Sequence, residues 1–77
     1  MGIDEAFGDL LKERPKGAIN LRASRERQNI SQKELSEKTN IIQSNISLYE
    51  NGQRKITESI AKRFAKVLNT NFKIYLK

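Results

Sequence analysis

Cysteine and histidine are both absent from this 77-residue chain. Their absence excludes disulfide bonds, a thiolate nucleophile and the ligand sets of zinc fingers, and it removes the usual general base of enzymes. The serines and lysines have no histidine beside them, and no paired-carboxylate or phosphate-loop pattern occurs. We therefore expect a protein that is not an enzyme, with no catalytic residues, no cofactor and no bound metal.

Long apolar runs are also missing. No stretch approaches the length of a transmembrane helix, and the N-terminus lacks the basic-then-apolar pattern of a signal peptide. We therefore expect a cytoplasmic protein without a membrane partner. A chain of 77 residues has room for one small domain, which buries a modest share of its surface and would gain stability from a partner subunit.

The charge of the chain is positive and unevenly placed. The net charge is +6, from 15 basic and 9 acidic residues. Residues 1–14 carry four acidic and two basic side chains, a net charge of −2, so the remainder carries +8. A basic body with a slightly acidic leader is typical of a polyanion-binding protein, although anionic lipid would fit the same charge.

A well-marked helix start lies near the middle of the chain. Ser31 followed by Glu34 is the pattern of a capping box, in which the hydroxyl accepts the Glu34 amide and the carboxylate reaches back. Ile30 and Leu35 flank the cap at the positions of a hydrophobic staple. These residues predict a helix that begins at about Gln32.

Two residues that tolerate positive φ divide the following stretch. Asn40 can end the first helix in the left-handed conformation, and Gly52 can end a second helix that runs from about Gln43 to Asn51. In that second helix Ile46 and Tyr49 are three residues apart and are predicted to face a core. Two short helices joined by a tight turn are the result.

The opposite face of the second helix has an unusual composition. A solvated helix face usually carries lysine and glutamate, whereas this face carries amides and hydroxyls without a carboxylate. Uncharged groups that donate and accept hydrogen bonds are what base edges in the major groove require. A merely polar surface helix is the alternative reading. The residues of this face are Gln43, Ser44, Ser47 and Leu48.

The stretches SQKELSEK, QSNIS and ENG, which start at Ser31, Gln43 and Glu50, together resemble the helix-turn-helix of the phage repressor/Cro (Xre-type) family. The resemblance extends with less detail from Ala18 to Leu68. It implies an all-α, lambda-repressor-like bundle of four to five short helices. The chain then divides into a leader at 1–17, a helix-turn-helix DNA-binding domain at 18–68 and a C-terminal segment at 69–77.

The same resemblance implies roles for individual residues. Arg25 would form a buried ion pair with Glu50, with a plain surface charge as the alternative. Gln32, at a helix N-terminus, could meet a phosphate and hydrogen-bond to Gln43. The expected DNA-binding residues are Gln32, Ile42, Gln43, Ser44, Ser47, Leu48, Asn51, Arg54 and Lys55.

Two of these positions leave alternatives open. Ile42 stands where serine or threonine usually caps the recognition helix, so the helix start could shift, or the side chain could lie beside a thymine methyl group. Arg54 and Lys55 form a basic loop after the helix, which could clamp a phosphate or simply be solvated.

The flanking regions support further expectations. Pro15-Lys16-Gly17 is interpreted as a hinge before a helix at about Ala18 to Gln28. Thr57 and Glu58 open a last helix with an apolar stripe. In the leader, Phe7, Leu10 and Leu11 have helical spacing. They belong to a short helix packed on the body, to a frayed leader, or to a docking segment for a partner. The buried stripe of the last helix is predicted to be Ile60, Ala61, Phe64, Val67 and Leu68.

The C-terminal residues alternate between apolar and other side chains. Phe72, Ile74 and Leu76 alternate with Lys73, Tyr75 and Lys77, a period that favours a short β-strand. A lone strand needs a neighbour, either its copy in a second chain or the N-terminal segment. The last helix and this segment are therefore the expected dimer contact.

The function expected from these features is sequence-specific binding of double-stranded DNA by a small transcriptional repressor. It would act as a homodimer on a pseudo-palindromic operator. Small relatives with this layout often serve as the autoregulating antitoxin of a toxin–antitoxin operon, so a cognate toxin is a further expected partner. The alternative is a protein-interaction module that mainly caps or neutralises a partner protein.

Overall fold

A computed structural model describes residues 14–77 of the chain. Within this range all regular secondary structure is helical, which confirms the predicted all-α helix-turn-helix bundle. The predicted leader residues Phe7, Leu10 and Leu11 lie outside the described residues. The elements in chain order are α1 (Lys16–Arg27), α2 (Gln32–Thr39), α3 (Gln43–Glu50), α4 (Glu58–Leu68) and a 3₁₀ helix (Phe72–Tyr75).

Side-chain caps begin α2 and α4 as the sequence predicts. The Ser31 hydroxyl accepts a hydrogen bond from the backbone N–H of Glu34 at 3.0 Å, and Thr57 accepts one from the N–H of Ile60 at 3.4 Å. The reciprocal half of the predicted capping box is not formed. The Glu34 carboxylate instead lies 3.8 Å from the ammonium group of Lys38, one turn along the helix.

Each α-helix of residues 14–77 is followed by a residue in the left-handed conformation. Asn40 ends α2 with φ of 61° and Gly52 follows α3 with φ of 75°, as the sequence predicts. Asn29 after α1 and Asn69 after α4 have φ of 57° and 56°. Asparagine and glycine tolerate this conformation, which turns the chain sharply and lets the next N–H groups satisfy the last helical carbonyls.

The core joins all four helices and the 3₁₀ helix. Three aromatic rings form its centre, because Phe64 makes edge-on contacts with Tyr49 and Tyr75 at centroid distances of 5.9 Å and 6.2 Å. Edge-to-face geometry is a favoured arrangement of aromatic pairs. The buried cluster consists of Leu21, Leu35, Ile41, Ile46, Tyr49, Ile56, Ala61, Phe64, Ala65, Leu68 and Tyr75. Ile60 and Val67 of the predicted α4 stripe are partly buried against it.

The start of α1 corrects one prediction. Pro15 is the N-cap and Lys16 and Gly17 are helical, so these residues form no hinge. Proline suits a helix start because its fixed φ and missing N–H cost nothing there. Gly17 is required by packing, since a Cβ atom at this position would overlap the backbone carbonyl of Tyr75.

The predicted C-terminal strand is wrong. Phe72–Tyr75 is a 3₁₀ helix, and the Asn71 side chain begins it by accepting a hydrogen bond from the N–H of Lys73 at 2.9 Å. Residues three apart share one face of a 3₁₀ helix, so Phe72 and Tyr75 both turn towards the body. Tyr75 is only 2% exposed, although the alternating pattern placed it on the outer face. The segment is therefore part of the core.

Candidate nucleic-acid interface

The turn between α2 and α3 is held from inside. The Ser36 hydroxyl donates a hydrogen bond to the carbonyl of Ile41, and the Thr39 hydroxyl donates to the carbonyl of Leu35. Ile41 is 6% exposed and anchors the turn in the core. A small side chain at Ser36 lets the two helices approach while its hydroxyl satisfies a turn carbonyl. The geometry of the helix pair is thus set by packing and by the Ser36 bond, whereas the Thr39 bond lies within α2 itself.

Helix α3 has one buried face and one open face. Ile46 and Tyr49 are buried together with Glu50, in agreement with the predicted core side. Gln43 and Ser44 are exposed at the first turn, while Ser47 and Leu48 are partly exposed further along. The open face therefore carries the amide and hydroxyl groups that the sequence assigned to it.

Asn51 is linked to this open face. Its side-chain amide donates to the Ser47 hydroxyl at 3.4 Å, which joins the residue after α3 to the second turn of that helix. Asn51 itself is exposed. This bond uses neither the side-chain oxygen of Asn51 nor the hydroxyl hydrogen of Ser47. The pair can therefore still accept and donate hydrogen bonds to a bound ligand.

Ile42 immediately precedes α3 and points into solvent. Its side chain is 68% exposed, and it makes no side-chain capping bond. Helix α3 begins at Gln43, which is where the sequence predicted it to begin. The missing cap residue therefore has not moved the helix start.

The Gln32 side chain does not make the contact implied by the family resemblance. Among the residues that the structure describes, its amide nitrogen donates to Oε1 of Glu50 at 3.1 Å, and no hydrogen bond joins it to Gln43. Glu50 is a buried carboxylate and a stronger acceptor than the Gln43 amide, because hydrogen bonds to charged groups are stronger than those to neutral amides. Gln32 therefore connects the start of α2 to the end of α3.

Arg25 and Glu50 form a two-point ion pair. Nε of Arg25 lies 2.7 Å from Oε2 of Glu50, and Nη2 lies 3.1 Å from Oε1. A third donor of the same guanidinium, Nη1, bonds to the Ile30 carbonyl at 2.8 Å. The Glu50 side chain is 3% exposed and that of Arg25 is 11% exposed. The hydrogen bonding of its guanidinium to the Glu50 carboxylate raises the pKa of Arg25, against the lowering effect of burial.

The basic loop lies directly after α3. The N–H of Gln53 bonds to the carbonyl of Leu48 at 2.9 Å, so the helix end directs the loop. Arg54 and Lys55 follow and are both exposed. The interface thus combines an uncharged helix face with a cationic edge.

One functional connection is not readable from the sequence. The expected site residues Gln32, Gln43 and Ser44 lie at the first turns of α2 and α3, but the bond between Gln32 and Glu50 was not foreseen. An amide side chain has several possible partners, and no local sequence signal singles out Glu50 among them.

These features define a helix-turn-helix DNA-binding domain. A family model described as Helix-turn-helix matches residues 21–74, which is most of the chain. The chain belongs to the Xre/lambda repressor-like helix-turn-helix family. No curated protein and no solved structure gives a significant match. The activity of this family is sequence-specific DNA binding in the regulation of transcription.

Two further observations concern the part of the chain that the structure describes. None of its helices is long and apolar enough to cross a membrane. Residues 14–77 also contain no group of three or more acidic side chains placed to hold a metal ion.

Proposed function

We propose that this protein is a dimeric transcriptional repressor that reads a pseudo-palindromic operator with α3. The observation that carries the proposal is the composition of the open face of α3. The polar groups of this face are amides and hydroxyls. The only carboxylate of α3, Glu50, is buried and paired with Arg25. A helix face without exposed negative charge suits close approach to DNA and hydrogen bonding to base edges.

Base contacts and backbone contacts are assigned to different elements. Gln43 and Ser44 at the N-terminal turn of α3 reach base edges first, since recognition helices enter the major groove with their N-terminal residues. Arg54 and Lys55 contact phosphates, which position the protein without reading sequence. The N-terminus of α2, which begins at Gln32, contacts the phosphate backbone of the DNA. The remaining base-facing residues are Ile42, Ser47, Leu48 and Asn51.

The charge of the chain supports the same assignment. The net charge of +6 is concentrated outside the first fourteen residues. Neutralisation of phosphates by lysine and arginine supplies most non-specific affinity and makes binding dependent on salt. The uncharged α3 face then adds sequence discrimination to this general attraction.

A homodimer follows from the size of one recognition helix. A single helix covers only a few base pairs, and helix-turn-helix dimers place two helices one DNA turn apart, at about 34–36 Å. We assign the dimer contact to α1 and the C-terminal residues. Two of the exposed large apolar side chains, Ile19 and Leu76, belong to these elements.

The narrower role that we propose is that of an autoregulating antitoxin acting in the cytoplasm. It rests on the small size of the chain and on analogy with small members of the family. The toxin would then be the product of a neighbouring gene. Co-expression and co-purification of the two proteins is the direct measurement, and a complex that forms without any duplex binding would favour a protein-interaction module instead.

A gel-shift titration with the protein's own upstream DNA tests the main proposal. Scrambled duplex of the same length and composition serves as competitor. We expect a complex with labelled upstream DNA that persists in excess scrambled competitor. The same excess of unlabelled upstream DNA should displace it. Equal competition by both duplexes would mean that binding is not sequence-specific and would overturn the proposal.

A further inference from the structure

Ile42 is the most exposed large apolar side chain of residues 14–77. It is 68% exposed, compared with 50% for Ile19 and 43% for Leu76. Exposed isoleucine carries no structural benefit by itself, and its neighbour Ile41 already anchors the turn in the core. The position therefore calls for an explanation outside the packing of this chain.

The backbone of Ile42 accounts for this exposure. A helical residue four positions before Ile46 would share the buried face of α3. Ile42 instead has φ of −58° and ψ of 136°, which lies outside the helical region and takes its side chain off that face. Ile46 is fully buried, whereas Ile42 stands beside the exposed residues Gln43 and Ser44.

The residue also gives up a capping bond. Ser31 and Thr57 cap α2 and α4 with hydroxyl groups, but the N-cap of α3 has no side-chain bond. Serine, threonine, aspartate or asparagine at this position would stabilise the helix. Isoleucine here serves neither the cap nor the core.

We propose that Ile42 reads the C5 methyl group of a pyrimidine in the major groove. This inference rests on the proposed DNA-binding function and names the chemical group that its N-terminal turn recognises. The thymine methyl is the one apolar feature that base pairs present in the major groove, and apolar side chains contact it. Gln43 and Ser44 beside it supply the polar contacts.

Recognition of the methyl group has a consequence for regulation. The C5 methyl of 5-methylcytosine occupies the same place in the groove as that of thymine. Where an operator variant has cytosine at the position facing Ile42, its methylation would therefore strengthen binding. The methyl group, more than the base that carries it, is the recognised ligand.

Replacement of thymine by uracil isolates the methyl group. Operators with uracil in place of thymine at single positions of one half-site are titrated with wild-type protein, Ile42→Ser and Ile42→Ala. We expect one position at which uracil weakens wild-type binding about three- to fivefold, the value for one buried methyl-sized group. Ile42→Ser should bind the uracil and thymine operators equally well, and Ile42→Ala, which keeps a single methyl group, should show a smaller difference than wild type.

The controls separate methyl recognition from effects on folding. Ile42→Ser restores a capping hydroxyl and should keep or raise the melting temperature, so its loss of methyl discrimination cannot come from unfolding. Ser59→Ala changes an exposed, uncharged side chain on α4, outside both the DNA interface and the dimer contact, and should keep the wild-type ratio. Uracil outside the half-sites should have no effect.

Four outcomes would overturn the inference. Wild-type protein that binds every uracil operator as tightly as thymine does not read the methyl group. Persistence of the uracil effect in Ile42→Ser would assign the methyl contact to another residue. Loss of self-association by Ile42→Ser without DNA would identify Ile42 as an interface between copies. Absence of any specific duplex complex would overturn both this inference and the proposed function. The other three outcomes leave specific DNA binding intact, so the two kinds of failure can be told apart.

Discussion

The side-chain nitrogen of Gln32 lies 3.1 Å from Oε1 of Glu50, so the first residue of α2 is bonded to the last residue of α3. The same carboxylate is held by Arg25 of α1. Three helices therefore meet at one buried charge. Glu50 is the last residue of α3. The orientation of the open face of α3 therefore depends on the hydrogen bonds that Glu50 makes on the buried side of the helix.

Removal of Arg25 tests the weight of this network. Arg25→Ala leaves Glu50 buried without its charged partner, which costs roughly 3–5 kcal/mol in the free energy of unfolding. Arg22→Ala is the matched control, because Arg22 is exposed and makes only an i,i+4 pair with Glu26, which is worth a few tenths of a kcal/mol. Thermal or urea unfolding of both variants measures the difference. Equal stabilities would mean that the ion pair contributes little.

The pH dependence of this ion pair has a defined sign. Bonding to Glu50 raises the pKa of Arg25 above its usual value. A base with a raised folded-state pKa contributes stability that is present below its unfolded pKa and is lost as pH rises through the folded one. We therefore expect no loss of this contribution from Arg25 between pH 6 and pH 10 in unfolding experiments.

Gly17→Ala should destabilise the protein, against helix propensity. Alanine is favoured over glycine inside a helix by about 1 kcal/mol, but a Cβ atom here would overlap the Tyr75 backbone. Relief of the overlap must displace the 3₁₀ helix and loosen the buried Tyr75 ring. Lys16→Ala, one residue earlier and exposed, is the control. A higher melting temperature for Gly17→Ala than for wild type would contradict this packing.

Local signals explain which parts of the fold were predictable. The hydroxyl of Ser31 and the tolerance of Asn40 for positive φ act within a few residues, so the bounds of α2 follow from the sequence. The burial of Tyr75 depends on Phe64 and on the missing side chain of Gly17. Those contacts span most of the chain, and six alternating residues cannot indicate them.

The candidate site shows the same division. The uncharged face of α3 follows from helical periodicity, since Ile46 and Tyr49 fix which side is buried. The partner of Gln32 does not, because an amide can bond to several neighbours and only the folded geometry selects Glu50. Asn71 offered a local warning against a strand, since asparagine often begins a turn.

Gln43→Ala and Ser44→Ala should each lose discrimination between operator and random DNA while the fold survives. Both side chains are exposed, so the free energy of unfolding should change little. Each good bidentate base contact is worth about 1–3 kcal/mol of discrimination. Competition titrations give the specificity ratio directly. An unchanged ratio in both variants would remove α3 from the recognition of bases.

Arg54→Ala and Lys55→Ala should weaken binding to every duplex alike. Each lost phosphate contact reduces the slope of log affinity against log salt concentration by about 0.9. Arg63→Ala and Lys66→Ala on α4 remove the same charge elsewhere and are the controls. If the α4 variants lower the slope as much as the loop variants, net charge rather than the loop determines phosphate binding.

The last prediction concerns the dimer contact. The burial of Tyr75 determines which variants can test it. Deletion of Phe72 to Lys77 would remove part of the core and is no test of assembly. Ile19→Glu and Leu76→Glu are better probes, because both side chains are exposed and the fold should tolerate the charge. Their elements are already joined, since the Asn20 side chain donates to the Ile74 carbonyl at 2.8 Å.

We expect each glutamate variant to sediment as a monomer at concentrations where wild type is dimeric, because a charge buried on both sides of a two-fold axis repels its copy. Operator binding should then fall to weak occupation of single half-sites, whereas affinity for random DNA changes much less. Ile42→Ser is the control for loss of an exposed isoleucine and should remain dimeric. Glutamate variants that stay dimeric with full operator affinity would move the interface away from α1 and the C-terminus, and the leader residues Phe7, Leu10 and Leu11 would be tested next.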